Sequence, residues 1–227
     1  MTPLRVVTHD FEQRGHKALL ASLLLLIFSS SFLQDLARLT WVISAFVVLV
    51  LLAAVMTVTS RGRQFHVALV LAALALIPQF GLLWKQPFWL QPLHYLATVS
   101  FLAWVIFLLL RDIVVRSHTV TRELLLGAIN VYLMLGLAFA FLFNLLEHLS
   151  PGSFTGLEAL ADNTALDLKF IYFSFVTLTT LGYGDVSPLT ANAMTFASAE
   201  AIAGQLYLTI LVARLVGLYI VRPQDGN

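Results

Sequence analysis

The sequence predicts an all-α membrane protein, with six transmembrane helices and one shorter re-entrant helix that ends in a loop. Three observations carry that expectation. Apolar residues make up 59% of the 227 and charged residues only 11%, and mean hydropathy is +0.90, far from the balance of a soluble domain. Apolar segments of about 20 residues, the length that crosses a bilayer, recur along the chain between short polar or Pro/Gly-containing loops. Between the last two lies a segment too short and too rich in hydroxyls to be a comfortable span, closing on Thr177-Leu178-Thr179-Thr180-Leu181-Gly182-Tyr183-Gly184-Asp185.

Several function classes are excluded early. Cysteine is absent, so there is no disulfide framework, thiolate metal site or catalytic thiol. A formal net charge of +1 argues against a nucleic-acid partner. No Ser-His-Asp, metal-binding or phosphate-loop pattern occurs, so neither an enzyme nor a cofactor is expected. His66 and His94 fall near predicted helix ends, where an interfacial position is expected of them.

Residues 1–17 are polar and mixed in charge and read as a cytoplasmic segment. A charged start followed by Ala18–Phe28 has the outline of a signal peptide, but no convincing small-residue cleavage site follows, and residues 18–33 are read as the first span. Gln34–Leu39 is a tight loop. Thr40–Thr59 is the second span, with Trp41 at the interface, and Ser60–Gln64 is a basic turn. Phe65–Trp84 is the third, interrupted by Pro78 and Gly81, where a kink or frayed end is expected. Lys85–Pro92 carries Pro87, Phe88, Trp89 and Pro92 and reads as an interfacial aromatic loop. Leu93–Leu110 is the fourth span, Arg111–Arg122 a polar linker with the option of continuing as helix, and Glu123–Glu147 the fifth span. His148–Asn163, with Pro151, Gly152 and Gly156, reads as an exposed loop. Thr164–Thr179 is the short helix, with Thr164 as N-cap and Asp167 at its third position in a capping-box arrangement. A re-entrant placement suits it, because irregular backbone survives at membrane depth only when surrounded by protein or water. Leu189–Val221 is the sixth span, and 222–227 a stub with no room for a ligand-sensing domain.

Lys and Arg set the orientation. With six spans and both termini cytoplasmic, ten of the 13 basic residues fall on the inner side, and only Arg38, Lys85 and Lys169 fall outside. The expected location is therefore the cell membrane, with lipid around a multi-pass chain. The outer side collects Asp35, Glu147, Glu158, Asp162, Asp167 and Asp185. Of these Asp185, beside the glycine loop, is the best placed to concentrate cations.

The loop has a chemistry of its own. A dehydrated cation needs oxygens in place of its lost water, and backbone carbonyls supply them only if successive ones point the same way. That takes unusual dihedrals, which Gly182 and Gly184 reach without steric cost. Leu181 and Tyr183 alternate with them, and Thr180 adds a hydroxyl oxygen at the inner end. One such strand cannot surround an ion, so a symmetric ring of copies is needed.

The run Thr180-Leu181-Gly182-Tyr183-Gly184-Asp185 resembles the selectivity filter of six-transmembrane potassium channels, T-[VI]-G-Y-G-D in that family. The resemblance implies a homotetrameric pore through which K+ passes as the permeant ion. It implies ion-binding oxygens from Thr180, Leu181, Gly182 and Tyr183, with Thr179, Gly184 and Asp185 as filter support. It also implies a peripheral four-helix domain over 18–120 and a pore domain over 121–221, built of outer helix, pore helix, filter and inner helix. The motif match is strong over Thr164–Val221; the first 120 residues match in span number alone. A cation channel of relaxed selectivity and a non-conducting scaffold or partner subunit are the alternatives.

The departures from the family pattern also bear on function. Voltage-gated relatives carry arginines every third residue of the fourth helix, whereas His94–Leu110 has none. Arg111 and Arg116 come only at its cytoplasmic end, so little or no intrinsic voltage dependence is expected. Phe173 stands where a tryptophan that hydrogen-bonds the filter aspartate is expected, and Val176 is apolar where some prokaryotic relatives have glutamate, so Asp185 is expected to lack its partners. In the sixth span, Gly204 lies nineteen residues after Asp185, at the position of the family's hinge glycine; close packing is the equal alternative. Gln205 is expected to face the cavity and Ile220 to approach an inner constriction. Glu200 is a carboxyl within an apolar span, which is rare and usually paired or functional. About 140° around the helix from Gln205, it is expected to contact pore-helix hydroxyls such as Ser174 or Thr177, as a structural hydrogen bond or as a gating, proton-sensing group.

Overall fold

A computed structural model describes residues 3–32, 39–57, 63–81, 90–116, 120–157 and 163–220. The described chain is almost wholly helical: α1 (Pro3–Phe32), α2 (Leu39–Met56), α3 (Arg63–Gly81), α4 (Leu90–Arg111), α5 (Arg122–Leu149), α6 (Asn163–Leu178) and α7 (Ala191–Ile220). Two short strands, β1 (Phe154–Thr155) and β2 (Ser187–Pro188), pair antiparallel, with Phe154 opposite Pro188 and Thr155 opposite Ser187. Three helices among the described residues are long and apolar enough to cross a membrane: Leu90–Val115, Arg122–Leu149 and Ala191–Leu218. Shorter apolar stretches occur at Ala45–Met56 and Gln64–Leu76. The expected loops over 34–38, 58–62 and 82–89, the linker at 117–119, residues 158–162 and the C-terminal stub fall outside the described residues.

Some element boundaries differ from expectation for identifiable reasons. The polar start is helical: α1 runs as one helix from Pro3, and residues 3–17 contain only one glycine, Gly15, which lets the α1 backbone approach Met56 of α2 and Thr57 just after it. Helix α3 passes through Pro78 and ends at Gly81. The linker after α4 continues for one π-helical turn, Asp112–Arg116. Helix α5 then restarts at Thr121, an extended N-cap whose hydroxyl accepts from Leu124 N–H at 3.2 Å, with Glu123 in the first turn favourable to the dipole.

One apolar core runs from α1 to α5, with Leu19, Leu23 and Leu26 of α1, Leu51 of α2, Phe101, Leu102 and Leu108 of α4, and Met134 and Leu137 of α5. Helix α4 packs on α3 and α5, and α1 packs on α2 and α5. Polar contacts also join the helices. Asn130 Nδ2 of α5 donates to the His16 carbonyl of α1 at 2.9 Å. The Tyr95 hydroxyl of α4 donates to Asp167 Oδ1 of α6 at 3.0 Å. His94, near the start of α4, is buried within the chain, with Nδ1 2.9 Å from the Ala75 carbonyl and its ring edge-on to Phe141.

A second, aromatic core sits under β1 and α6. Phe143, Phe154, Phe170 and Phe173 pack with centroids 4.9–6.4 Å apart, joined by Val186, Ala193 and Ala197. Each such ring pair contributes about 0.5–1.5 kcal/mol beyond its area. This cluster fixes α6 against α5 and α7, and so positions the loop that follows α6.

Candidate functional site

The loop after α6 is held at its base by the helix end. Val176 O accepts from Leu181 N–H at 2.9 Å and from Gly182 N–H at 3.3 Å, and Thr177 O accepts from Thr180 N–H at 2.9 Å. Thr179 Oγ1 donates to Phe175 O at 2.7 Å. The last carbonyls of α6, which a helix leaves unpaired, are thus spent on the loop.

Beyond that base the backbone alternates. Thr180 has φ +61°, Gly182 +62° and Gly184 +78°, while Leu181 and Tyr183 between them keep negative φ. In an ordinary extended strand successive carbonyls point to opposite sides. Reversing the handedness at every second residue turns alternate peptide planes over and brings the carbonyls to one side. Gly182 and Gly184 meet that demand as expected. Thr180 does so too, which the sequence did not announce: a β-branched residue at positive φ is strained and persists only where its surroundings over-determine it. The loop is otherwise open in the single chain, with Leu181 56% and Tyr183 66% exposed.

Asp185 is not short of partners, and the expectation that it would be is corrected. It accepts from Lys169 Nζ at 3.0 Å and from the Tyr172 hydroxyl at 3.1 Å. Lys169 and Tyr172 lie three apart on one face of α6. Lys169 also sits over the Tyr172 ring at 5.1 Å, and Tyr172 stacks on Tyr183 at 6.4 Å and 6°. Phe173 points the other way, into the aromatic cluster, so its lack of a donor costs Asp185 nothing. The sequence did carry a signal: Tyr172, one position earlier, is the hydroxyl-bearing aromatic. Pairing with Lys169 also makes the local charge nearly neutral, so Asp185 is a structural anchor rather than a bare anion.

Desolvation pushes the Asp185 carboxyl up, but the hydrogen bonds from Lys169 and Tyr172 and the Lys169 charge together outweigh it and hold the group below the ordinary aspartate value. A depressed carboxylate stabilises the fold above its unfolded pKa and ceases to as pH falls through the folded one. The contact is therefore expected to survive acidification through the ordinary aspartate range, near about 3.9, and to fail only below it. Lys169→Met should move that acid limit upward. A carbon NMR titration of the Asp185 carboxyl checks this, and an unmoved midpoint in the variant would contradict it.

The exposed loop before α6 is built onto the same site. Glu147 accepts from Gly152 N–H at 2.7 Å and Phe154 N–H at 3.2 Å, closing the turn into β1. Leu189 N–H donates to Ser153 O at 2.7 Å. Gly156, at φ +81°, brings its backbone so close to Asp185 that a Cβ there would lie 1.9 Å from the Asp185 carbonyl oxygen. This residue was missed in the sequence, where one glycine in a polar loop looks like any other.

Among the described side chains of α7, those buried are a stripe of small residues and one carboxyl: Ala193, Ala197, Glu200 and Gly204. Gly204 packs closely, since a Cβ there would lie 2.5 Å from the Leu178 carbonyl oxygen, and α7 is continuous through it. Glu200 is fully buried, and the Ser174 hydroxyl lies beside its Oε1, as the sequence led one to expect. Gln205 is exposed, and the Ile220 side chain lies outside the described residues. Just 6% of the apolar window of α7 is buried within the chain, against 56% in α4 and in α5.

Residues 129–220 match the family model described as an ion channel. That match supports an ion channel, a non-enzymatic class, and with the apolar helices it supports a membrane protein. Searches of curated proteins and of solved structures found no match to the chain.

Proposed function

We propose that this chain forms a homotetrameric, potassium-selective channel that conducts passively across the cell membrane, with both termini cytoplasmic. The carrying observation is the alternating backbone of Thr180–Gly184. Carbonyls aligned on one side by that alternation, repeated in four copies, replace the hydration shell of an ion at Thr180, Leu181, Gly182 and Tyr183. The Thr180 hydroxyl adds an oxygen at the inner end. Thr179, Gly184 and Asp185 hold the loop's two ends.

The unburied face of α7 favours an assembly. Ile202, Ile210 and Val212 are 58–61% exposed, and neighbouring copies together with lipid would cover them. Reversal potentials of the reconstituted protein in potassium and sodium gradients test the function, with native mass measurement for the tetramer. A reversal tracking the potassium gradient is expected. Equal potassium and sodium permeability would replace the reading with a channel of relaxed selectivity, and absence of current with a non-conducting subunit.

Voltage dependence is expected to be weak. Arg111, in the last turn, is the basic residue of α4, and Arg116 closes the π turn. A conventional sensor moves about three to four charges per subunit, each worth about 2.3 kcal/mol per 100 mV. Gating-current records should give well below that, and a charge of several units per subunit would contradict it.

A further inference from the structure

Ser174 stands between two acceptors. Its Oγ lies 2.5 Å from the Gly136 carbonyl oxygen of α5 and 2.5 Å from Glu200 Oε1 of α7. A hydroxyl carries one proton. A backbone carbonyl can only accept, and so can an ionised carboxylate. With Glu200 ionised, one proton would have to serve both oxygens, and a charge would sit fully buried in an apolar span. Among the described residues no cation pairs with Glu200, and its Oε2 has no hydrogen-bond partner. The titratable side chain within its electrostatic reach from α5 is Tyr132, a neutral phenol. With Glu200 protonated the count closes: the carboxyl donates to Ser174 Oγ, and the Ser174 hydroxyl donates to Gly136 O. The remaining Oε2 is then a neutral carbonyl oxygen, far cheaper to leave unpaired than half of a carboxylate.

The same chain of bonds has a mechanical consequence. Ser174 and Leu178 lie one turn apart on α6, as Glu200 and Gly204 do on α7. The two helices therefore meet at two successive turns, one through the Ser174–Glu200 bond and one through the approach of Gly204 to Leu178 O. Between them lie Val176 and Thr177, whose carbonyls hold the base of the loop.

We infer that Glu200 is a protonated positioning residue that, through Ser174, ties α7 and α5 to the end of α6 and so sets the register of the ion-conducting loop. The inference rests on the channel reading for its functional part, but its proton does not. In the infrared spectrum of the reconstituted protein at neutral pH, wild type minus Glu200→Gln should retain the carbonyl stretch of one protonated carboxylic acid, shifting in heavy water. Absence of that band overturns the inference whether or not the protein conducts. In potassium-current recordings Glu200→Gln, whose amide can donate to Ser174 in the same way, should keep the wild-type open fraction. Glu200→Ala and Ser174→Ala should each lower it by about tenfold, the order expected for a broken buried hydrogen bond, and the double variant should be no worse than either. Glutamine behaving like alanine, or additive losses, would overturn it. Selective current without the infrared band would sink this inference alone, and the band without current would sink the channel reading alone.

Discussion

Gly182→Ala and Gly184→Ala are each expected to abolish potassium-selective conduction while leaving membrane insertion intact. The space around both positions in the single chain is open, with nothing within 4 Å of a built Cβ. The penalty is therefore conformational rather than steric. An L-residue held at φ +62° or +78° pays about 1–2 kcal/mol in the left-handed region, and the proposed tetramer would pay it four times, roughly 4–8 kcal/mol in all. The cheapest relief is to turn the peptide plane, which in the proposed pore would remove one ring of carbonyl oxygens from the ion path. Since the alternation begins at Thr180, already strained at φ +61°, the loop has little tolerance left for a second unfavourable residue. Reversal potentials in mixed potassium and sodium solutions measure the outcome. Normal flux with an unchanged permeability ratio in both variants would dismiss the carbonyl-ladder reading.

The parts of the site that could be read from the sequence are those set by local chemistry. Glycines at every second position call for positive φ, and a hydroxylated, overly short helix before them calls for a support. An acid in an apolar span calls for a hydroxyl, and Ser174 answers it. What escaped depends on facing. Phe173 and Tyr172 are adjacent, and about 100° of helical rotation decides which meets Asp185 and which enters the aromatic cluster; the donor was looked for at position 173, one residue too late. Lys169 went unnoticed because a basic residue on a short helix has many exposed explanations, and only the loop's return path puts Asp185 beside it. The burial of His94 was hidden too, because its packing depends on α3 and α5, not on its own neighbours. The strain at Thr180 was equally hidden, because the residue type argues against it and only the fold imposes it.

Gly156→Ala is the second substitution expected to have a large effect, and Gly152→Ala is its internal control. Both glycines lie in the loop between α5 and α6 with nearly equal φ, +81° at Gly156 and +84° at Gly152, so alanine pays a similar left-handed cost of about 1–2 kcal/mol at either. Their surroundings differ. Around Gly152 nothing lies within 4 Å of a built Cβ, whereas at Gly156 it would meet Asp185 O at 1.9 Å and Val186 Cα at 3.2 Å. Backbone atoms cannot rotate away as a side chain can. Asp185 is also fixed from the other side by Lys169 and Tyr172, and β2 just after it is paired with β1 just before Gly156. The clash must therefore either part the two strands or push Asp185 off its donors, adding about 1–3 kcal/mol or more of overpacking cost. Thermal unfolding of the reconstituted protein should show a loss for Gly152→Ala and one about twice as large or more for Gly156→Ala. The NMR titration of Asp185 should move upward only in the latter, because only there are the donors that depress it displaced. Equal losses in the two variants would mean that the loop yields freely around Gly156, and that its backbone does not brace the outer end of the Thr180–Gly184 loop.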